Sequence, residues 1–448
     1  MISALPQRAT SVCPRKMVDY PKTVVGDQLG IDFPVAIEPL LELGAEFLTE
    51  AFHVSGALPK GNRVVAITAS QEFYGGGMGR KLLLEVRYLE PLRELHTHLF
   101  AKFPRDFGDP LRDLYGPLME SEVRFALLSR GAEFPIVVPK CYFADFNAET
   151  VSGILITERV AYGEGTIEVR HEKCLDYRLH DPLSHYQALT RTMARLAGFH
   201  KAGKLGENTD VQFPFDANKI EMGSRIPYTP EQLQAKLQKL VTFAHDYPQL
   251  LPGPIGSAGF LRRFSQEVLL VQEHEKKLRR YLNGHNDYVA LCHWNMNLDN
   301  AWFWFNAQSE LQAGLLDWGS VGQMNLAQGF YGMTCAAEAD FLNEHRRALL
   351  TLFVEEYSRA GGPTLRVEEL AFQVKLSVAL MGIAWVLDAP SLVEAQIPNL
   401  HAVKDRFDPI LEGNTFARIQ LHVLTILLNE WIFDDIGRAI IGFVGKAD

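Results

Sequence analysis

The chain is poor in cysteine: five in 448 residues, Cys13, Cys141, Cys174, Cys292 and Cys335, odd in number, far apart and without a Cys-x-x-Cys pair. That pattern suggests reduced thiols in a cytosolic protein, not a disulfide frame or a zinc site. An excess of positive charge is also missing, since 44 Lys and Arg stand against 54 Asp and Glu for a net charge of -10. Nucleic acid and anionic membrane are bound by neutralising phosphates, so neither is an expected partner. No long hydrophobic run is present. The most apolar interior stretch, Leu376 to Leu387, is shorter than the ~20 residues a membrane span needs. The first twenty residues contain Pro6, Arg8, Pro14, Arg15 and Lys16 with no apolar run, so no secretory signal is visible. Internal repeats, low-complexity tracts and obvious linkers are absent as well. A soluble cytoplasmic protein is the expectation.

A chain of 448 residues is too long for one ordinary core, and two or three packed units are expected. Residues 1–33 show no sustained period and read as an irregular arm. Pro39 suits the first turn of a helix, and Leu40, Leu41, Phe47, Leu48, Ala51 and Phe52 recur on one face before Pro59-Lys60-Gly61-Asn62 ends it. Three extended runs follow, Val64 to Phe73, Arg80 to Leu89 and Leu95 to Phe103, the first two joined by Tyr74-Gly75-Gly76-Gly77-Met78-Gly79. Runs so joined predict an antiparallel sheet. The glycine-rich turn reads either as a flexible hairpin or as a loop whose backbone N–H groups approach a phosphate.

Lys102 sits among apolar neighbours in Leu99-Phe100-Ala101-Lys102-Phe103, where burial is costly unless an anion meets it. A short helix follows Gly116-Pro117, with Met119, Val123, Ala126 and Leu127 as its stripe; Glu120 and Glu122 flank the stripe on opposite sides. Periodicity does not choose between the two glutamates. Phe134 to Pro139, Lys140 to Phe143 and Gly153 to Val160 are read as completing the sheet. From Gly163 the pattern becomes helical. Ser184-His185-Tyr186-Gln187 reads as a capping box before a helix that runs to Gly203. Gly203 to Pro230 reads as a polar surface loop. Phe264 to Leu282 reads as one helix with Glu273–Lys277 and Glu275–Arg279 pairs, so its basic cluster is a solvated face. Helices are expected over Leu349 to Ala360, Val367 to Leu387 and Phe416 to Phe433.

The chemistry concentrates in Leu291-Cys292-His293-Trp294-Asn295-Met296-Asn297-Leu298-Asp299-Asn300, then Ala301-Trp302-Phe303-Trp304-Phe305, and then Leu315-Leu316-Asp317-Trp318-Gly319. This is a polar loop, an aromatic strand, a turn at Asn306 to Ser309, and a second apolar strand ending on one carboxylate. A hairpin of that kind brings Asn300 and Asp317 to one edge. Their oxygens are hard ligands suited to Mg²⁺, which keeps some waters and takes the rest of its shell from phosphate.

The order resembles the His-x-Asp-(x)4-Asn loop and downstream Asp of the protein-kinase-like superfamily, in its aminoglycoside phosphotransferase and choline kinase branch. The resemblance covers roughly Val64 to Gln328. It implies an α+β, bilobal fold: an N-terminal arm and helix over residues 1–60, a nucleotide-binding antiparallel sheet with one helix over 61–158, and a helical lobe over 159–448. It implies ATP and Mg²⁺ as cofactors and a small-molecule hydroxyl as acceptor. Laid on that pattern, His293 matches the loop His, Asn300 and Asp317 the metal ligands, Lys102 the ATP-phosphate lysine, Glu122 its partner glutamate in a Glu-x-x-Phe context with Phe125, and Gly75, Gly76, Gly77 and Gly79 the phosphate loop. The adenine hinge falls near Glu158 to Val160.

Two positions depart from the family. Asn295 stands where the pattern has the catalytic Asp; it can hydrogen-bond a hydroxyl but cannot accept its proton. Gly322-Gln323-Met324-Asn325 stands where relatives often carry Gly-Asp-Pro. Asp299 is the only carboxylate in the loop, and could serve as base if the loop is reshaped. Two readings follow, a phosphotransferase in which Asn295 orients the acceptor, and a pseudokinase that binds nucleotide and acts as a regulator or scaffold.

Overall fold

The computed structural model describes residues 20–73, 79–217, 225–319 and 321–445. A five-stranded antiparallel sheet in the order β3-β4-β5-β7-β6 forms one lobe: β3 Val64–Phe73, β4 Arg80–Tyr88, β5 His98–Phe103, β6 Cys141–Asn147 and β7 Ser152–Glu158. Ahead of it, β1 (Thr23–Val25) and β2 (Asp32–Pro34) pair as a small ribbon, so the arm is not wholly irregular. Asp145 anchors that ribbon by accepting from the Gln28 and Leu29 N–H groups at 2.9 Å each.

Both faces of the sheet are covered, which is why its inner strands read as nearly continuous apolar runs. Helix Ile37–Val54 covers one face, packing Phe47 edge-on against Phe143 and Phe52 against Tyr142. The helix bends at Gly44, whose φ of 58° interrupts its regular geometry. Phe52 is fully buried, and its truncation to Ala would cost about 3–5 kcal/mol. Helix Leu118–Leu128 covers the other face, setting Met119, Val123 and Ala126 against Cys141, Ala144, Phe146 and Leu155. Residues 134–139 do not join the sheet. Pro135 and Pro139 cannot donate to a ladder, and Val137 instead bridges Gly314 of the later hairpin.

Among the described residues, the second lobe is helical around four short strands. β8 (Val289–Cys292) pairs with β11 (Gly322–Asn325), and β9 (Ala301–Phe305) pairs with β10 (Leu311–Leu315). The expected two-lobed α+β architecture is therefore present. Local boundaries differ from the sequence reading. Helix Pro182–Lys201 is capped by Asp181, which accepts from the Ser184 N–H, with Pro182 in the first turn, so the start lies three residues ahead of the expected box. The single helix expected over 264–282 is two, Ala258–Glu273 and Glu275–Asn283, divided at His274. Residues 203–230 are not all surface loop, because Phe213 and Ile226 are buried in the core.

From Leu376 onward helix Val367–Val386 carries no charged residue, and this half is largely buried in the lobe. The helical stretch Val367–Gln396 is long and apolar enough to cross a membrane, but 72% of its most apolar window is buried inside the protein. Helices Ala339–Arg359 and Thr415–Phe433 pack around it.

Candidate functional site

The site begins with the register of the sheet. Lys102 lies on β5 opposite Lys81 of β4, one rung from the strand end. Its ammonium is buried, with 5% of the side chain exposed, and meets Glu122 Oε2 at 2.7 Å and Asp317 Oδ1 at 2.7 Å. Of the two glutamates that periodicity left open, Glu122 takes this position, and Glu120 pairs with Arg124 one turn along. Burial opposes the charge on Lys102, yet Asp317 and Glu122 together hold its pKa above the ordinary lysine value. Lys102 in turn holds Asp317 well below the usual carboxylate range, and burial pushes Glu122 up. Lys102 is shared by two carboxylates, and Lys81 on the paired rung is a second cation within reach of both.

Helix Leu118–Leu128 aims two side chains at the same place. Phe125, one turn after Glu122, stacks on Trp318 with ring centroids 3.7 Å apart, and the Trp318 Nε1–H donates to the Leu315 carbonyl at 3.1 Å. The Glu-x-x-Phe spacing on the helix thus matches the Asp-Trp pair at the end of the hairpin. Asp317 itself has a left-handed backbone, φ 62°, which for a non-glycine residue marks a constrained position.

The β9–β10 hairpin sets Ala301 opposite Leu315, and the next rung is closed by the Leu316 N–H donating to the Asn300 carbonyl at 3.0 Å. Asn300 and Asp317 are therefore placed at the same edge. The Asn300 Nδ2 donates to the Asn295 carbonyl at 2.9 Å, which leaves its Oδ1 as the side chain's acceptor. An amide oxygen and a carboxylate at one edge form a donor set that fits Mg²⁺.

His293 braces the loop. Burial lowers its pKa and keeps the ring neutral; Nδ1 accepts from the Asn295 N–H at 3.1 Å and Nε2 donates to the Leu316 carbonyl at 3.1 Å. The ring thus ties the loop to the residue before Asp317, a positioning role. Asn297 fastens the other end by donating to the Gly332 carbonyl at 2.6 Å. Gly332 must be glycine here, because a Cβ would stand 1.7 Å from the Trp294 carbonyl oxygen. His200, at the end of helix Pro182–Lys201, accepts from the Leu291 N–H and donates to Asp210. That is the packed helix-end role. Gln323 reaches the same Asp210, so the strand Gly322–Asn325 braces β8 without an aspartate.

Lys173 was missed by sequence reasoning. It arrives from the irregular segment before helix Pro182–Lys201 and places its Nζ 3.2 Å from Asn295 Oδ1 and 3.5 Å from Asp299 Oδ1. Burial opposes its charge, but the surrounding groups, Asp299 foremost, together outweigh this and its pKa is raised. Nothing in a lone Lys between Glu172 and Cys174 announced this, since the contact spans more than a hundred residues. Lys81 was missed too. Burial and the neighbouring Lys102 bring its pKa down to about 8, and strand alternation from Lys102 across the paired rung was the signal that could have found it.

Gly75, Gly76 and Gly77 lie outside the described residues. Gly79 closes against the end of β5, where an added Cβ would come 2.0 Å from the Phe103 carbonyl oxygen. Glu158 ends β7; its side chain accepts from the Lys140 N–H and pairs with His96 at 2.8 Å. The Glu158 and Arg159 N–H groups are bonded to Lys140 and His98 carbonyls, and Val160 follows beyond the sheet.

No family model matches the chain, and no curated protein matches it. Among solved structures it is similar to a choline kinase from Cryptosporidium parvum Iowa II, at 12% identity over 82% of this chain and 91% of that one, with a TM-score of 0.38. It is similar to a choline/ethanolamine kinase family protein from Mesorhizobium loti at 15% identity, over 87% and 98% of the two chains, TM-score 0.40. A Plasmodium vivax ethanolamine kinase matches at 12% identity over 82% and 83%, TM-score 0.40. These neighbours belong to the small-molecule kinase branch that the loop motif resembles. Similarity at this level concerns the fold and carries no argument about chemistry.

Proposed function

We propose that the chain is an ATP- and Mg²⁺-dependent phosphotransferase that acts on a hydroxyl of a small molecule. The observation that carries this reading is the buried Lys102 shared between Glu122 and Asp317, with Asn300 at the adjacent edge. Lys102 would hold the nucleotide phosphates, and Lys81 lies beside it as a second cation. Asn300 and Asp317 would hold Mg²⁺, which when bound neutralises charge on the transferring phosphoryl group. Gly75, Gly76, Gly77 and Gly79 are assigned to the phosphate loop and Glu158 to Val160 to the adenine edge. His293 holds the loop, and Asn295 orients the acceptor through its amide. Because phosphoryl transfer rests chiefly on positioning and charge, a missing base slows it without abolishing it; a positioned base contributes ~10²- to 10⁴-fold.

A second reading is favoured by Lys173. Its ammonium donates to the Asn295 Oδ1, so one of the two lone pairs that this oxygen could offer a hydroxyl is already engaged. A nucleotide-binding protein that does not transfer phosphate, and acts on a partner, fits that contact.

Calorimetric titration of ATP with and without Mg²⁺, on the natural chain and on Asp317→Ala, tests both. Mg²⁺-dependent binding lost in the variant supports the nucleotide site, and a screen of hydroxyl acceptors for ADP release then separates the two readings. Absence of binding under either condition removes both.

A further inference from the structure

Away from the Lys102 cluster, three side chains converge on one point. Glu168 and His171 come from the segment before helix Pro182–Lys201, and His185 from the first turn of that helix. The Glu168 Oε2 lies 2.9 Å from His171 Nε2 and 2.9 Å from His185 Nε2. The segment is pinned there by the Glu168 N–H, which donates to the Phe303 carbonyl at 2.9 Å, and by a bridge between Ile167 and Trp304. Both imidazoles rest edge-on against the Phe303 ring, at 5.6 and 4.7 Å between centroids.

The hydrogen bonding of His185 decides what this point requires. Its Nδ1 is 2.7 Å from the Asp181 carbonyl oxygen, an acceptor only, so Nδ1 carries a proton. In the neutral ring, Nε2 is then a lone pair aimed at a carboxylate oxygen, an acceptor facing an acceptor. A cation must stand between them, either a proton on Nε2 or a metal ion. An Nδ1–H bonded to a backbone carbonyl, with Nε2 presented outward, is also how metal-binding histidines are oriented.

We propose that Glu168, His171 and His185 form a site for a divalent transition metal of the zinc class. Two imidazole nitrogens and one carboxylate oxygen suit Zn²⁺, Co²⁺ or Ni²⁺ better than Mg²⁺ or Ca²⁺. Ligand bonds of ~2.0 Å in a tetrahedron put donor atoms about 3.3 Å apart, so the 2.9 Å separations need to open by only a few tenths of an ångström. The three donor atoms already lie within 4.8 Å of one another. The site has an entry path, since the Glu168 and His171 side chains are 25% and 17% exposed, and water completes the fourth position. The cysteine pattern gave no hint of it because no cysteine takes part. Metal bound here ties the segment to the hairpin and the helix two residues ahead of Lys173, and so fixes the strut that reaches Asn295.

The test is calorimetric titration of the full chain with Zn²⁺ after chelator treatment and without nucleotide, together with the visible absorption of added Co²⁺. The expected result is one equivalent bound, a tetrahedral Co²⁺ band, and a loss of affinity of at least ~100-fold in Glu168→Gln and in His171→Ala. Binding persists in Asp317→Ala, which separates this site from the proposed Mg²⁺ ligands. Glu168 and His171 are the partly exposed members, so their variants are expected to keep the thermal transition of the metal-free chain. Either absence of stoichiometric binding by the natural chain or unchanged affinity in both variants overturns the proposal and leaves a hydrogen-bonded His–Glu cluster.

Discussion

The two ends of the candidate site are built on a lysine each, and they match charge differently. At the sheet end, Lys102 meets two carboxylates at 2.7 Å, both in charge-assisted hydrogen bonds. At the loop end, Lys173 meets an amide oxygen at 3.2 Å and one carboxylate at 3.5 Å. The first end sets two carboxylates against Lys102 and Lys81, so its net charge follows the protonation of Lys81. The second balances one ammonium against one carboxylate. A phosphotransferase needs the first end to bind nucleotide, whereas the second decides whether an acceptor is activated.

The largest expected effect comes from breaking the sheet end. Lys102→Met would leave Glu122 buried without its cation, at a cost of about 3–5 kcal/mol, read by urea denaturation. Adding Glu122→Leu to that variant should recover most of the loss, since a matched apolar pair carries no stranded charge. A single variant as stable as the natural chain would mean that Glu122 does not depend on Lys102 as its buried cation.

The loop end is sharpened by Asn295→Asp. The new carboxylate would sit on Lys173 and restore a proton acceptor, raising acceptor-dependent ADP release about 10²-fold. Unchanged release would mean that the amide is not what limits transfer. Smaller still is the expected effect of Lys173→Met on nucleotide. It should leave Mg²⁺-dependent ATP affinity within about 0.5 kcal/mol of the natural value, because Lys173 reaches the sheet end only indirectly, through Asn295. A large loss would merge the two ends into one unit.

The finest distinction is a pH dependence at the sheet end alone. Lys81 has a pKa brought down to about 8 by burial and by Lys102. Below that value it is protonated and attracts phosphate; above it, nucleotide binding must take up a proton. ATP affinity is therefore expected to fall as pH rises past 8, by up to ~10-fold per unit. Lys81→Ala should flatten the profile, measured by titration between pH 7 and pH 10. A profile that is the same in both proteins would place Lys81 outside the binding electrostatics.

Much of the sheet end was legible in the sequence because it is carried by local pattern. Strand alternation and the glycine turn foretold β3, β4 and β5 over nearly their observed ranges, and an apolar context marked Lys102 as a residue in need of an anion. The hairpin from Ala301 to Leu315 was legible for the same reason: its turn at Asn306 to Ser309 fixes the register that sets Asn300 beside the Asp317 edge. Less local features were misplaced. The Asp181 cap was hidden by a nearer Ser-x-x-Gln-like pattern, and the strand Gly322–Asn325 was invisible because four residues show no period.

The sequence by itself determined which groups are at hand: an amide and a carboxylate at the ends of a short hairpin, a lysine in a strand, and a glutamate and a phenylalanine one turn apart on a helix. Those follow from periodicity and short-range spacing, which the chain encodes directly. Only the tertiary structure decided which groups share a proton or a charge. Glu122 was chosen over Glu120 because the helix packs Met119, Val123 and Ala126 onto the sheet and so turns Glu122 inward. Lys173 meets Asn295, and Glu168 meets two histidines, through contacts that no local pattern records. Such pairings depend on how whole elements pack, and electrostatic energy acts through that space rather than along the chain.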